Sequence, residues 1–267
     1  MLFTGFFINH KESKELSVLK QNELVKIRVN NLTKKFGDLT VLNNINFTIK
    51  KGELLAIVGP TGCGKTTFLN CLSKLMPTTE GEILIDGEAA DPRKHNISYV
   101  FQEPTCLPWR TVRENVAYGM EIKGVPRAER MKRADEIMAL VGLSSCANLY
   151  PNQVSASMMQ RIAVSRAFAV RPDLLLMDEP YGQLDVKLRY YLEDELVNLW
   201  RTVGSTVLFV THNIEEAVYV AERVLVLTNK PTSVKQEVVI DLPRPRDLVD
   251  PKFVELRRQV TDLIRWW

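Results

Sequence analysis

The sequence predicts an α/β fold in which a sheet of short buried strands is interrupted by a largely helical insert. Three observations predict it. Continuous apolar runs of strand length, "ELLAIV" (53–58), "DLLLMD" (173–178) and "STVLFV" (205–210), suit strands covered on both faces. Helical patterns such as "TTFLNCLSKLM" and "ELVNLWRTVG" separate them. From about 103 to 170 the strand signal gives way almost entirely to helix.

Taken in order, residues 1–22 turn polar after their first few positions and are expected to be an N-terminal extension to a domain at 23–230. "LVKIRVN" (24–30) and "INFTIKKGE" alternate apolar and polar residues, the period of half-buried strands. "ELLAIV" is a buried strand, followed by a glycine-rich loop and a helix. "GEILIDG" and "ISYVFQ" are further strands. In the insert, Thr111 and Glu114 have capping-box spacing, and "PRAERMKRADEIMALVG" places Pro126 in a first turn and Gly142 as a stop. Beyond "DLLLMDEP", a helix over "ELVNLWRTVG" and the strand "STVLFVTH", Asn213 and Glu216 are spaced to cap a helix over "NIEEAVYVAERV". Residues 231–267 read as a tail holding a proline-rich connector and one short helix.

Composition narrows the function. A chain of 267 residues with 45% apolar and 25% charged residues is an ordinary globular protein, and a net charge of +3 gives no electrostatic footprint for nucleic acid. The four cysteines show no CxxC pair and no metal-ligand spacing with the three histidines, which favours a reducing compartment without structural disulfides or zinc. No apolar run approaches the ~20 residues of a membrane helix, and "MLFTGFFINH" lacks the basic start of a signal peptide. A cytosolic chain is expected, with any membrane role exercised through a partner.

"GPTGCGKTT" (59–67) fits GxxxxGK[ST] between a buried strand and a helix, the context of a P-loop. Gly59, Pro60, Thr61, Gly62, Cys63, Gly64, Lys65, Thr66 and Thr67 would cradle a nucleotide's phosphates, the glycines turning backbone N–H groups inward and the helix N-terminus adding partial positive charge. Lys65 would reach the β- and γ-phosphates, and the Thr66 hydroxyl would bind Mg²⁺. In "LLLMDEP" (174–180), Asp178 would hold Mg²⁺ through water while Glu179 polarises the attacking water as general base. Gln102, after "ISYVF", could touch the metal and that water, and His212, after "VLFVT", could hydrogen-bond the γ-phosphate. A reactive Cys63 thiol, protected by ATP from alkylation, is a further expectation.

Five elements in order, "GPTGCGKTT", "VFQEP", "VSASMMQRIAVSRA", "LLLMDEP" and "FVTHN", resemble an ATP-binding-cassette (ABC) ATPase over roughly residues 24–230. The resemblance implies a P-loop NTPase core with an antiparallel β subdomain and an inserted helical subdomain. It implies ATP and Mg²⁺ as ligands, ATP hydrolysis coupled to transport, and a place on the cytoplasmic face of the cell membrane. Phe36 matches the aromatic that stacks on adenine, with a core phenylalanine in a hairpin as the alternative. "FQEPTCLPWRTVRENV", "YPNQ" and "DLPRPRD" further resemble the branch serving nitrate, sulfonate, taurine and related importers. The implied partners are integral-membrane permease subunits, a second ABC ATPase subunit of the same or a different chain, and indirectly a solute-binding protein. Trp109 in "TCLPW" is a candidate permease contact, or else a core residue.

The sequence departs from the family in two places, both acting on the partner's site. The signature loop, usually LSGGQ or LSGGM, reads Val154, Ser155, Ala156, Ser157, Met158, so both glycines are replaced while Ser155 remains. If those positions need a glycine-only conformation, the replacements cost on the order of 1–3 kcal/mol. The Ser157 hydroxyl could restore a phosphate contact alongside Ser155. After Glu179, "YGQLD" puts Gln183 where alanine is common, with Asp185 as the matching interface acid. The elements acting in cis are intact. Pairing with a different ATPase subunit and a slowed homodimer both remain open at this point, as does a weakly hydrolysing regulatory subunit, against which Glu179 and His212 argue. A soluble cassette not coupled to transport, acting on nucleic acid or ribosomes, would be expected to carry tandem cassettes or basic arms, and the chain has neither.

Overall fold

The computed structural model describes residues 25–264, apart from Gln183 and Asp185. The expected N-terminal extension and the two interface residues of "YGQLD" lie outside the described residues. Strands β1 (Val25–Phe36) and β2 (Leu39–Lys50) form an antiparallel hairpin, and β4 (Glu80–Ile85) with the short β5 (Glu88–Ala89) completes a sheet in the order β2-β1-β4-β5. The hairpin is longer than the alternation in sequence suggests. Asn31 and Asn44 adopt positive φ of 50°, and register shifts on either side of Leu32 break the period-2 pattern without ending the strands.

The second sheet contains β3 (Leu54–Val58), β6 (Ile97–Val100), β7 (Leu174–Asp178), β8 (Thr206–Val210), β9 (Arg223–Leu227) and β10 (Val234–Val239), in the order β10-β9-β3-β8-β7-β6. Its pairings are parallel except for β10 on β9. Strands β3, β7 and β8 are buried along their whole length, as apolar runs in a parallel sheet require. One face packs on the antiparallel sheet and helix α1 (Lys65–Leu72), with Ile27, Ile49 and Phe68 meeting Ile57 and Leu208. The other face carries α5 (Val186–Val203), α6 (Ile214–Val220) and α7 (Pro251–Ile264); α2 to α4 lie in the insert described below.

Parallel pairing positions the site. In register, Met177 meets Val100, Asp178 meets Val210, and Ile57 meets Val210. The residues after β3, β6, β7 and β8 therefore emerge at one edge of the sheet, where parallel sheets bind ligands.

Helices α2 (Val112–Ile122), α3 (Arg127–Leu140) and α4 (Ala156–Ala169) enclose a separate core of Val116, Met120, Met138 and Ile162. The expected capping box forms: Glu114 N–H donates to Thr111 Oγ1 at 3.3 Å, and Thr111 N–H to Glu114 Oε2 at 2.9 Å. The predicted pairing of Asn213 with Glu216 is only half a box. Asn213 Oδ1 accepts from the amides of Glu215 and Glu216, but the Glu216 carboxylate bonds the Thr211 hydroxyl instead of reaching back to Asn213.

Three sequence expectations are corrected. Helix α6 ends at Val220, and "RVLVL" is strand β9 rather than the end of that helix. Helix α5 begins well before "ELVNLW". The tail carries β10 as well as a helix of 14 residues, whose Phe253 and Val260 are fully buried in the main core.

Candidate active site

The phosphate loop connects β3 to α1. Gly62 and Gly64 have φ of +76° and +114°, conformations that L side chains rarely adopt. A Cβ on Gly64 would also lie 2.8 Å from Val41 Cγ1, because the hairpin passes directly beneath the loop. Thr232 ties these parts together: its hydroxyl donates to the Cys63 carbonyl, and its backbone exchanges hydrogen bonds with Val41 and Asn43 at 2.8–2.9 Å. Thr61 and Gly62 are exposed at the crown, Pro60 and Thr67 are half-buried, and Gly59 is buried. Lys65 is buried, and its Nζ donates to the carbonyls of Gly59 and Pro60 at 3.0 and 3.2 Å, folded over the loop where phosphates would arrive. Thr66 is exposed at the same helix end.

Cys63 does not fit the expectation of a reactive thiol. Its side chain is buried, and burial holds the thiol above its usual pKa despite nearby Lys65. The thiolate that alkylation needs is therefore disfavoured.

Asp178 ends β7 with 3% of its surface exposed. Burial raises its carboxyl above the usual range; the Thr66 hydroxyl opposes that shift, Glu179 adds to it, and Lys65 opposes it. One carboxyl oxygen, Oδ1, is buried without a hydrogen-bond partner. An orphaned carboxylate oxygen beside the Thr66 hydroxyl fits a hard cation with oxygen ligands. Among the described residues no cluster of three His, Cys, Asp or Glu side chains could hold a metal. Mg²⁺ that keeps its waters and binds through substrate phosphates needs no such cluster.

Glu179 stands at the start of the next turn, with φ of +46°. A non-glycine residue there carries on the order of 1–3 kcal/mol of strain. Its N–H donates to the Val210 carbonyl at 2.8 Å, which anchors it to the end of β8. Its Oε2 meets His212 Nδ1 at 2.9 Å and accepts from Gln102 Nε2 at 3.4 Å. Glu179, His212 and Gln102, expected from three separate strands, thus converge on one oxygen atom.

Phe36 is 46% exposed at the end of β1, with Lys34 Nζ 5.0 Å from its ring centroid. Its alternative as a core residue is excluded.

The altered signature residues sit at the start of α4. Ser155 is the N-cap, accepting from Met158 N–H at 3.2 Å, and its Oγ lies 2.9 Å from Ser157 Oγ. Ala156 and Ser157 are inside the right-handed helix, and neither is among the positive-φ residues. The expected backbone strain at these positions is therefore absent; what the substitutions add is side-chain bulk. Ala156 also lines a small cleft with Gln102, Glu179 and Gly182 of its own chain, so this end of α4 faces the cis site as well. Sequence reasoning missed this proximity, which arises because α4 leads back into β7.

A family model described as ABC transporter matches residues 42–182, more than half of the chain. The chain belongs to the ABC transporter family. It is 41% identical over 257 residues to an uncharacterised ABC transporter ATP-binding protein of Methanocaldococcus jannaschii, covering 94% of this chain and 96% of the relative. It is 37% identical over 238 residues to the aliphatic sulfonates import ATP-binding protein SsuB of Bacillus cereus, covering 88% and 94%. Among solved structures, the dimeric post-hydrolysis state of the ATP-binding cassette MJ0796 bound to ADP and Pi matches with a TM-score of 0.72 at 34% identity, covering 81% of this chain and all of that one. The protein is an ATP-binding ABC ATPase, a P-loop α/β fold with an antiparallel subdomain. No helix among the described residues is long and apolar enough to cross a membrane.

Proposed function

We propose that this ATPase energises a membrane importer of a small anion such as nitrate, a sulfonate, taurine or bicarbonate, acting as a pair of cassettes with ATP between them. The observation that carries the catalytic part is the convergence of His212 Nδ1 and Gln102 Nε2 on Glu179 Oε2. Glu179, oriented by those contacts, takes a proton from the attacking water. His212 has Nδ1 engaged, so Nε2 is the nitrogen that meets the γ-phosphate. Lys65 exchanges its two carbonyl partners for phosphate oxygens. Phe36 stacks on the adenine. Thr66, Asp178 and Gln102 hold Mg²⁺, which supplies charge neutralisation at the phosphates.

A sulfonate is supported by the similarity to the aliphatic sulfonates import protein SsuB, and the wider anion class by the resemblance of "FQEPTCLPWRTVRENV", "YPNQ" and "DLPRPRD" to the nitrate, sulfonate and taurine importer branch. Permease contact is read from the segment after Gln102. Asn115, fully buried, binds the Leu107 amide at 2.7 Å and the carbonyls of Leu107, Arg110 and Thr111 at 3.0–3.1 Å. That pins "TCLPW" and leaves Trp109 71% exposed, which excludes its alternative as a core residue. Beside it, Phe101, Leu107, Tyr118 and Ile122 line an open groove. Arg166 of α4 donates to the Thr105 carbonyl and hydroxyl at 2.8 and 2.9 Å. Movement at this surface therefore reaches the signature helix directly.

The dimer has two versions. Unstrained Ala156 and Ser157 favour a working homodimer with a weakened phosphate contact through Ser155 and Ser157. The placement of both sequence departures in trans-acting segments favours a partner cassette with an intact signature. ATP hydrolysis by the purified chain with its permease distinguishes them: robust turnover without a second ATPase subunit excludes the mixed pair, and turnover appearing only with that subunit excludes the homodimer. Transport of none of the named anions by the assembled complex would overturn the substrate class.

A further inference from the structure

The turn carrying His212 is braced from behind by carboxyl groups that take no part in the chemistry above. The Thr211 hydroxyl donates to Glu216 Oε2 and accepts from the Asn213 amide, the latter at 3.0 Å. Asn213 Oδ1 in turn accepts from the amides of Glu215 and Glu216 at 3.0 and 3.3 Å. Both neighbours of His212 are thus tied to Glu216.

Glu216 is 4% exposed, and Glu193, on the adjoining helix α5, is fully buried. Both oxygens of Glu193 and Oε1 of Glu216 lack hydrogen-bond partners. Two ionised carboxylates in that condition are strongly unfavourable, and one proton turns an orphaned acceptor into a donor. The surrounding charges do not offer a better solution. Arg189 faces both groups without forming an ion pair with either, and its Nη2 donates to the Leu184 carbonyl at 3.2 Å. The remaining charged groups nearby are mostly acidic: Glu179 alongside His212 next to Glu216, and Asp194 and Glu215 next to Glu193. Tyr181 is buried with its hydroxyl donating to the Leu192 carbonyl, and Tyr190 and Tyr219 bond Glu215 and Asp194.

We propose that the buried Glu193 and Glu216 carboxyls between them retain a proton, and that Glu216 held in this way is a positioning residue for His212. The second half rests on the reading of His212 as the group that meets the γ-phosphate. Burial, reinforced by Glu216, pushes Glu193 up to about 8. Burial pushes Glu216 up to about 7 against the opposing Thr211 bond. The two titrate as a pair. In the unfolded chain such groups lose their protons near pH ~4.3. The folded state therefore retains protons that the unfolded state has lost, and the pair's stabilising contribution, complete below the unfolded value, falls steadily as pH rises and is gone once pH passes the range 7 to 8. Full ionisation then places a second negative charge behind the Thr211–Asn213 turn and loosens it.

The test uses the full chain and Glu193→Gln, which keeps the shape and removes the titration. At about pH 7 the infrared spectrum of the wild type should show a buried protonated-carboxyl C=O band that is lost in the variant. Between about pH 7 and 9 the neutral fraction of a group titrating near 8 falls roughly tenfold. Wild-type kcat for ATP hydrolysis should fall by up to that factor, and the variant's decline should be flattened with kcat near pH 7 within about twofold of wild type. Should the variant fold poorly, Thr211→Val removes the hydroxyl that joins turn and carboxyl, along with its bond from the Asn213 amide, and kcat should fall with little change in KM. Absence of the infrared band, or an unaltered alkaline decline in Glu193→Gln, would overturn the proposal. A His212→Ala chain that hydrolyses ATP normally would overturn the phosphate-facing role and the positioning claim with it, while leaving the infrared band in place.

Discussion

Restoring glycine at both altered signature positions, Ala156→Gly with Ser157→Gly, separates two effects that the sequence alone runs together. Both residues lie in the first turn of α4 with right-handed helical backbone, so glycine relieves no strain there. It adds backbone freedom to the unfolded chain, at a cost of up to about 1 kcal/mol per position. A loss of about 2 kcal/mol corresponds to a Tm lower by roughly 4–8 °C in a chain of this size. Function should move the other way. Removing two Cβ groups opens the helix N-terminus to a phosphate, and losing the Ser157 hydroxyl frees Ser155 Oγ from its 2.9 Å contact. A gain of about 1.4 kcal/mol in that contact would raise turnover tenfold. The assay is steady-state ATP hydrolysis beside a thermal melt. A variant with raised Tm would refute the helical placement. One with lowered turnover would refute the view that these side chains obstruct the phosphate.

Other consequences follow from burial and capping. Phe36→Ala removes a half-exposed ring, so stability should hardly change while the ATP Kd rises by up to about tenfold, the worth of a stacking contact of 0.5–1.5 kcal/mol; an unchanged Kd would remove Phe36 from the adenine site. Cys63 should resist alkylation in the folded chain whether or not ATP is present, and rapid labelling, followed by mass spectrometry, would contradict its burial. Thr111→Ala should cost about 1 kcal/mol through loss of the bond from the Glu114 amide to the Thr111 hydroxyl, read as a shift in denaturation midpoint, with unchanged stability counting against the cap.

What was legible in the sequence was whatever local chemistry dictates. The P-loop, the Asp178–Glu179 pair and the strand-end placement of Gln102 and His212 follow from buried apolar runs whose ends must meet at one edge of a parallel sheet. The Thr111 capping box is a four-residue pattern and formed as expected. Strand β9 was hidden because "ERV" continues the apolar period of α6, and nothing local marks Val220 as its end. That end is fixed by distant residues: Arg246 Nη1 donates to the carbonyls of Val218, Tyr219 and Ala221, and Arg244 bonds those of Tyr219 and Val220. The extent of β1 was obscured by a bulge that reverses the alternation. The proximity of Ala156 to Glu179 and of Glu193 to Glu216 are tertiary facts, with no signature in spacing.

The most direct measurement is steady-state ATP hydrolysis by the purified chain with its permease, comparing wild type with Glu179→Gln. The variant keeps an oxygen for Gln102 and His212 but loses the base, and kcat should fall by about 10²–10⁴-fold with nucleotide binding retained. Turnover within a few-fold of wild type would contradict that assignment of the base.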